Sequence, residues 1–156
     1  MSKSRFRYVL EPVLLTRRWA LAELMAQLTE HQAQMAAQGS QIAAVQERYA
    51  LASADWQNDY AGASHTVDRF VMNARYLDHL ATQRRQLELR MATLAAARAD
   101  IIVRVAQAQR SLEAAEKHRG QLKERFEMER ASAEFKLADD QWNALQTGAA
   151  SHVNQH

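Results

Sequence analysis

Every seventh residue from Leu14 onward is apolar or aromatic: Leu14, Leu21, Leu28, Met35, Ile42, Tyr49 and Trp56. Hits at one strict spacing draw a single stripe along a helix. A stripe that keeps a period of seven, against the helix's own 3.6 residues per turn, implies left-handed supercoiling around a partner helix. The companion seam positions, three residues on, are Arg17, Leu24, His31, Gln38, Val45, Ala52 and Asp59. About half of them are apolar, which makes the middle of this first helix a weak seam. Gly39-Ser40 falls there as well, at a cost of about 1 kcal/mol relative to Ala, and predicts local bending or softness, with a helix boundary as the alternative. Pro12 suits the first turn of the helix, where a missing N–H is not needed.

The pattern halts near Tyr60 and resumes after Gly62, Ser64 and Thr66, residues with turn and capping chemistry. Beyond the turn, Leu80, Leu87, Leu94, Ile101, Ala108, Ala115 and Leu122 form one seam series. Phe70, Leu77, Arg84, Met91, Arg98, Val105, Leu112, Arg119, Phe126 and Ala133 form the other. The spacing therefore predicts helix 1 over about 12–60, a turn over about 61–66, and helix 2 over about 67–146. At 1.5 Å per residue the second arm runs ~120 Å and the first ~75 Å, so an antiparallel pair leaves the second overhanging. Arg84, Arg98 and Arg119 sit at seam positions; they either snorkel to the surface or fix the register. The tail 147–156 has no pattern and is expected to fray.

Composition agrees with a thin helical pair. With 4 Gly and 1 Pro in 156 residues, the chain lacks the punctuation of a sheet or a many-element fold. Its 47% hydrophobic content leans on Ala and only 7% is aromatic, so a helix–helix seam is more natural than a thick core. The fold class is all-α, an elongated antiparallel two-helix coiled-coil hairpin with a longer C-terminal helix, in one domain over 1–156. The absence of Cys excludes disulfides, thiolate metal sites and Cys nucleophiles. Charged residues interrupt the apolar start at Glu11, Arg17 and Arg18, and no run reaches membrane-spanning length, so a soluble, uncleaved chain is expected.

Charge is uneven although the net is only +2. Lys3, Arg5, Arg7, Arg17 and Arg18 gather near the start, and Lys117, Arg119, Lys123, Arg125, Arg130 and Lys136 near the overhang. Asp55, Asp59 and Asp68 flank the turn, together with Tyr49, Trp56, Tyr60, Phe70 and Tyr76. A basic base and an acidic, aromatic tip imply two different partners. Tyr49 and Trp56 also lie on the heptad stripe and have a second reading as the end of the seam. No phosphate loop, nucleophile elbow or zinc-protease motif occurs, and no enzyme or cofactor is expected. His152 and His156 stand at i, i+4, but in the tail, where solvation is the simpler reading.

Two segments resemble a known family. Trp56-Gln57-Asn58-Asp59-Tyr60, followed by Arg69-Phe70-Val71-Met72-Asn73-Ala74-Arg75-Tyr76-Leu77-Asp78-His79-Leu80, is similar to the tip of the FliJ/YscO proteins, the stalk subunits of type III export apparatus. The opening Phe6-Arg7-Tyr8-Val9-Leu10-Glu11-Pro12-Val13-Leu14 and the later Leu122-Lys123-Glu124-Arg125-Phe126 resemble the family's start and C-terminal arm. The resemblance implies a non-enzymatic, cytoplasmic, monomeric stalk, peripheral to the inner-membrane export apparatus. Its basic end would seat in the hexameric export ATPase, through Arg5, Arg7, Arg17, Arg18, Lys123, Arg125 and Arg130. Its tip would engage the cytoplasmic region of the export gate through Trp56, Tyr60, Tyr76 and Leu80, with Tyr49 and Leu87 at the margins. Some members also bind export chaperones. Ser53 and Gln83 depart from the small or aliphatic residues of the family's tip, which leaves flagellar and injectisome membership both open. Two other function classes fit the same pattern: a generic coiled-coil adaptor that homodimerises, and a basic helix pair that binds nucleic acid.

Overall fold

A computed structural model describes residues 5–62 and 66–153, with the side chains of 149–153 left aside. Two helices account for almost all of it: α1 over Glu11–Ala61 and α2 over Val67–Val153. The described residues contain no strand. α1 opens as Pro12 predicts, with Glu11 N–H donating to the Tyr8 carbonyl at 3.2 Å and Leu14 N–H to the Leu10 carbonyl at 3.1 Å. It runs through Gly39-Ser40 without interruption, so the boundary considered there does not occur. α2 starts on the Thr66 carbonyl, which accepts from Arg69 at 3.1 Å and Phe70 at 3.2 Å. Ser64, expected in the turn, lies outside the described residues, as does His156. α2 continues to Val153, through the start of the segment expected to fray.

The helices pack against each other in two compact units, one made of residues 1–19 and 109–156 and the other of residues 20–108. In the second unit the cross-helix pairs run from Gln38 with Leu87 to Asp59 with Arg69, so the α2 number falls as the α1 number rises. That is antiparallel pairing. Val45, Leu80 and Leu87 form its buried centre, flanked by Ile42 and Ala52. In the first unit the pairs run from Phe6 with Phe126 to Arg17 with Ser111, antiparallel again. Tyr8, Leu14 and Ala115 form that centre, with Phe6, Leu112 and Leu122 against it.

Burial follows the heptads closely. On α1, each seam position from Leu14 to Asp59 is buried or half-buried except Tyr49, which sits just on the exposed side. The polar companions His31 and Gln38 are included, and Gln38 Nε2 satisfies itself by donating to the Leu87 carbonyl at 3.0 Å. Two of the three seam arginines show how charge is tolerated there. Arg84 reaches solvent and pairs with Glu88 at 3.3 Å, and Arg119 lies 3.2 Å from Glu11. The glycines contribute no left-handed backbone, since no described residue has positive φ. Gly62 therefore does not end α1 in the left-handed cap its residue type allows; its N–H donates back to the Asp59 carbonyl at 3.2 Å, a tight last turn.

Candidate partner-binding surfaces

The end of α1 and the start of α2 build an aromatic surface on the second unit. Trp56 meets Phe70 edge-on with ring centroids 5.3 Å apart, a geometry the ring quadrupoles favour. The pair rests on heptad logic, because Trp56 is the last stripe residue of α1 and Phe70 the first of α2. Beside them Arg69 Nη2 donates to Asp59 Oδ2 at 2.6 Å, clipping the first turn of α2 to the last turns of α1. Both groups are partly exposed, so the clip orients more than it stabilises. A hollow of about 410 Å³ opens between Ser53, Trp56, Gln57, Tyr60 and Phe70. A second, of about 270 Å³, lies on the Asp55, Asn73 and Tyr76 side of Trp56.

The residues implied for gate contact divide under this geometry. Tyr60 is 71% exposed and Tyr76 48%, Trp56 is half-buried with its edge on a hollow, and Tyr49 is at the exposed margin. Leu80 and Leu87 are corrections. At 2% and 7% exposure they belong to the core with Val45, where their heptad positions put them, and they offer a partner no surface. Phe70, counted among the turn aromatics but absent from the contact set, completes the surface instead. Ser53 lines its larger hollow.

The first unit carries the basic surface. Its N-terminal strap crosses α2: Phe6 stacks at a tilt on Phe126 at 5.6 Å, and the buried Tyr8 hydroxyl shares a 2.9 Å hydrogen bond with His118 Nδ1. That anchoring holds Arg5 and Arg7 beside α2. Arg5, Arg18, Arg119 and Lys123 line an open groove of about 510 Å³ whose one acidic wall residue is Glu116. Four of the seven cations implied for ATPase contact are already engaged within the chain. Arg17 donates to the Ser111 carbonyl at 2.9 Å, and Arg18 pairs with Glu116 at 3.1 Å. Lys123 pairs with Glu127 at 3.8 Å and Arg130 with Glu134 at 3.1 Å. Arg5, Arg7 and Arg125 are exposed and make no ion pair among the described residues, which leaves them as the cations open to a partner. The anchoring by Phe6, Tyr8 and His118 is beyond sequence patterning, because it joins residues 110 apart by side-chain reach.

Among the described residues there is no cluster of three metal-ligating side chains and no helix long and apolar enough to cross a membrane. The His152 side chain lies outside those described. No family model, curated protein or solved structure compared with the chain matches it.

Proposed function

We propose that the chain is the central stalk of a type III export apparatus, an elongated antiparallel two-helix coiled-coil hairpin with a longer C-terminal helix. In this reading it is cytoplasmic, has no catalytic site or cofactor, and works by coupling two partners. Arg5, Arg7 and Arg125, supported by Arg17, Arg18, Lys123 and Arg130, seat in the hexameric export ATPase and favour its assembled ring. Trp56, Tyr60, Phe70 and Tyr76 engage the cytoplasmic region of the export gate, and export chaperones are further partners. The observation that carries the proposal is the pairing of two dissimilar surfaces on one heptad-packed helix pair. The aromatic hollow is held open by the Trp56–Phe70 contact, and the basic groove is held by the Phe6–Tyr8 strap. Aromatic anchors in a hollow suit a hot spot, and unpaired cations suit steering and seating on an acidic partner.

The test is steady-state ATP hydrolysis by a type III export ATPase at low concentration, titrated with the chain. Stimulation is expected, and replacing Arg5, Arg7 and Arg125 with Ala together removes it. The double variant Trp56→Ala, Tyr76→Ala keeps the stimulation and loses binding to the gate fragment. A well-folded chain that neither binds nor stimulates the ATPase refutes the stalk.

A further inference from the structure

Past Phe126 every described side chain of α2 up to residue 148 is exposed, yet this stretch is not uniformly polar. Five large apolar residues are exposed here, and four of them, Met128, Phe135, Trp142 and Leu145, at 61%, 78%, 62% and 70%, share one face, with Leu137 off it. With Ala131 and Ala138 the four fall at alternating spacings of three and four: Met128, Ala131, Phe135, Ala138, Trp142, Leu145. That is a second heptad seam, displaced by two residues from the one ending at Leu122 and Phe126. Two residues turn a helix by about 200°, so the new seam faces away from the side on which the N-terminal strap packs. Of the positions continuing the old register, Glu129, Lys136, Asp140 and Asn143 are polar and Ala133 is small, and Leu137 is the one large apolar residue left on that side.

We propose that this face pairs with the same face of a second copy of the chain, antiparallel. The residues are self-complementary in that direction. With Phe135 set against Ala138 of the second copy, Trp142 falls opposite Ala131 and Met128 opposite Leu145, so bulky side chains meet small ones in all but the outermost layer. Flanking positions then pair Glu134 with Gln141, Ser132 with Asp139 and Arg125 with Gln146, with no like charges opposed. The parallel alternative stacks Trp142 on Trp142 and Ala131 on Ala131, layers too thick and too thin for one helix spacing, and sets Glu134 against Asp139 on both sides. Like charges at those flanking positions select against that pairing. With aromatics worth 150–250 Å² each, the stripe hides roughly 600 Å² per copy and about 1,200 Å² in all, the lower end for a specific interface. The expected dimer is therefore reversible. This inference does not depend on the export reading, since dimerisation is measured without any ATPase.

The test is sedimentation equilibrium of the full chain from roughly micromolar to millimolar concentration, the range in which an interface of this size acts. The mass is expected to rise from 17.7 kDa towards twice that value. The double variant Phe135→Glu, Trp142→Glu, at exposed positions, keeps its helical circular dichroism and stays monomeric throughout. Orientation is read by disulfide formation in this Cys-free chain: Ala131→Cys chains mixed with Trp142→Cys chains cross-link to each other in preference to themselves. A wild-type chain that is monomeric throughout, a dimer that survives the double variant, or cross-links confined to identical positions overturns the proposal; the first of these assigns the stripe to a different protein.

Discussion

Gly39 and Gly120 both lie inside helices, one in each compact unit, and replacing either with Ala is expected to stabilise the chain. Neither has the positive φ that would make a side chain strained. A Cβ built at Gly39 meets the Met91 Cε at 3.6 Å, ordinary van der Waals contact with the end of a flexible side chain. At Gly120 it meets nothing within 4 Å. The gain is then close to the helix-propensity difference, roughly 1 kcal/mol at each site, reached largely by removing backbone freedom from the unfolded chain. The two sites share no neighbour, so the gains add to about 2 kcal/mol, or roughly 4–8 °C in Tm for a chain of this size. Urea unfolding followed by circular dichroism at 222 nm reads both variants, and the midpoint should rise at unchanged slope. If the two units unfold in separate transitions, Gly39→Ala moves one and Gly120→Ala the other. A loss of stability at Gly39 would refute the reasoning, because it would mean that the helices approach there too closely for any side chain and that the glycine is required by packing.

Two further substitutions separate core from surface. Leu80→Ala empties a site only 2% exposed between Val45 and Leu87 and is expected to cost about 2–5 kcal/mol in urea unfolding; a cost under 1 kcal/mol would put Leu80 on the surface after all. Tyr8→Phe deletes the hydroxyl bonded to His118 at 2.9 Å while keeping the ring, and about 0.5–1.5 kcal/mol is expected because His118 is exposed enough to rehydrate. Unchanged stability in the Tyr8 variant would mean that ring packing alone holds the strap.

The seam was legible because it repeats. Of the fourteen α1 positions named by counting in sevens and threes, all but Tyr49 are buried or half-buried, polar members included, against five half-buried residues elsewhere on the helix. A helix surface gives each residue a fixed angle, so the period alone locates the buried face. Leu80 and Leu87 show what happens when a second kind of reasoning overrides that period. Heptad counting placed both in the seam, the family resemblance moved both to the binding surface, and packing sides with the heptad. The cross-helix polar contacts were not legible. Arg17 to the Ser111 carbonyl and Glu11 to Arg119 depend on which turns of two helices stand opposite, a register that neither sequence segment states alone. Gly62 does fall between the helices, but without a left-handed backbone: residue type shows which backbone conformations are allowed, whereas the turn adopted depends on where the chain must go next.

The C-terminal stripe went unread for a different reason, which bears on any long helix. Following one register to Ala133 makes the residues beyond Phe126 look like a seam decaying into polar surface. Shifting the count by two residues turns the same segment into an ordered series with Phe135 and Trp142 at its centre. A gradual decay would have scattered the apolar residues around the helix. Here four of the five large apolar residues share a face about 200° from the old one, with Leu137 left behind, beyond Phe126, the last cross-helix contact among the described residues. A helix that still served the same partner would gain nothing from such a change of face, since a seam displaced that far cannot touch it. The register break therefore marks where α2 stops serving the intrachain seam and presents a face to another molecule. Its alternation of large and small residues, read backwards, fits itself.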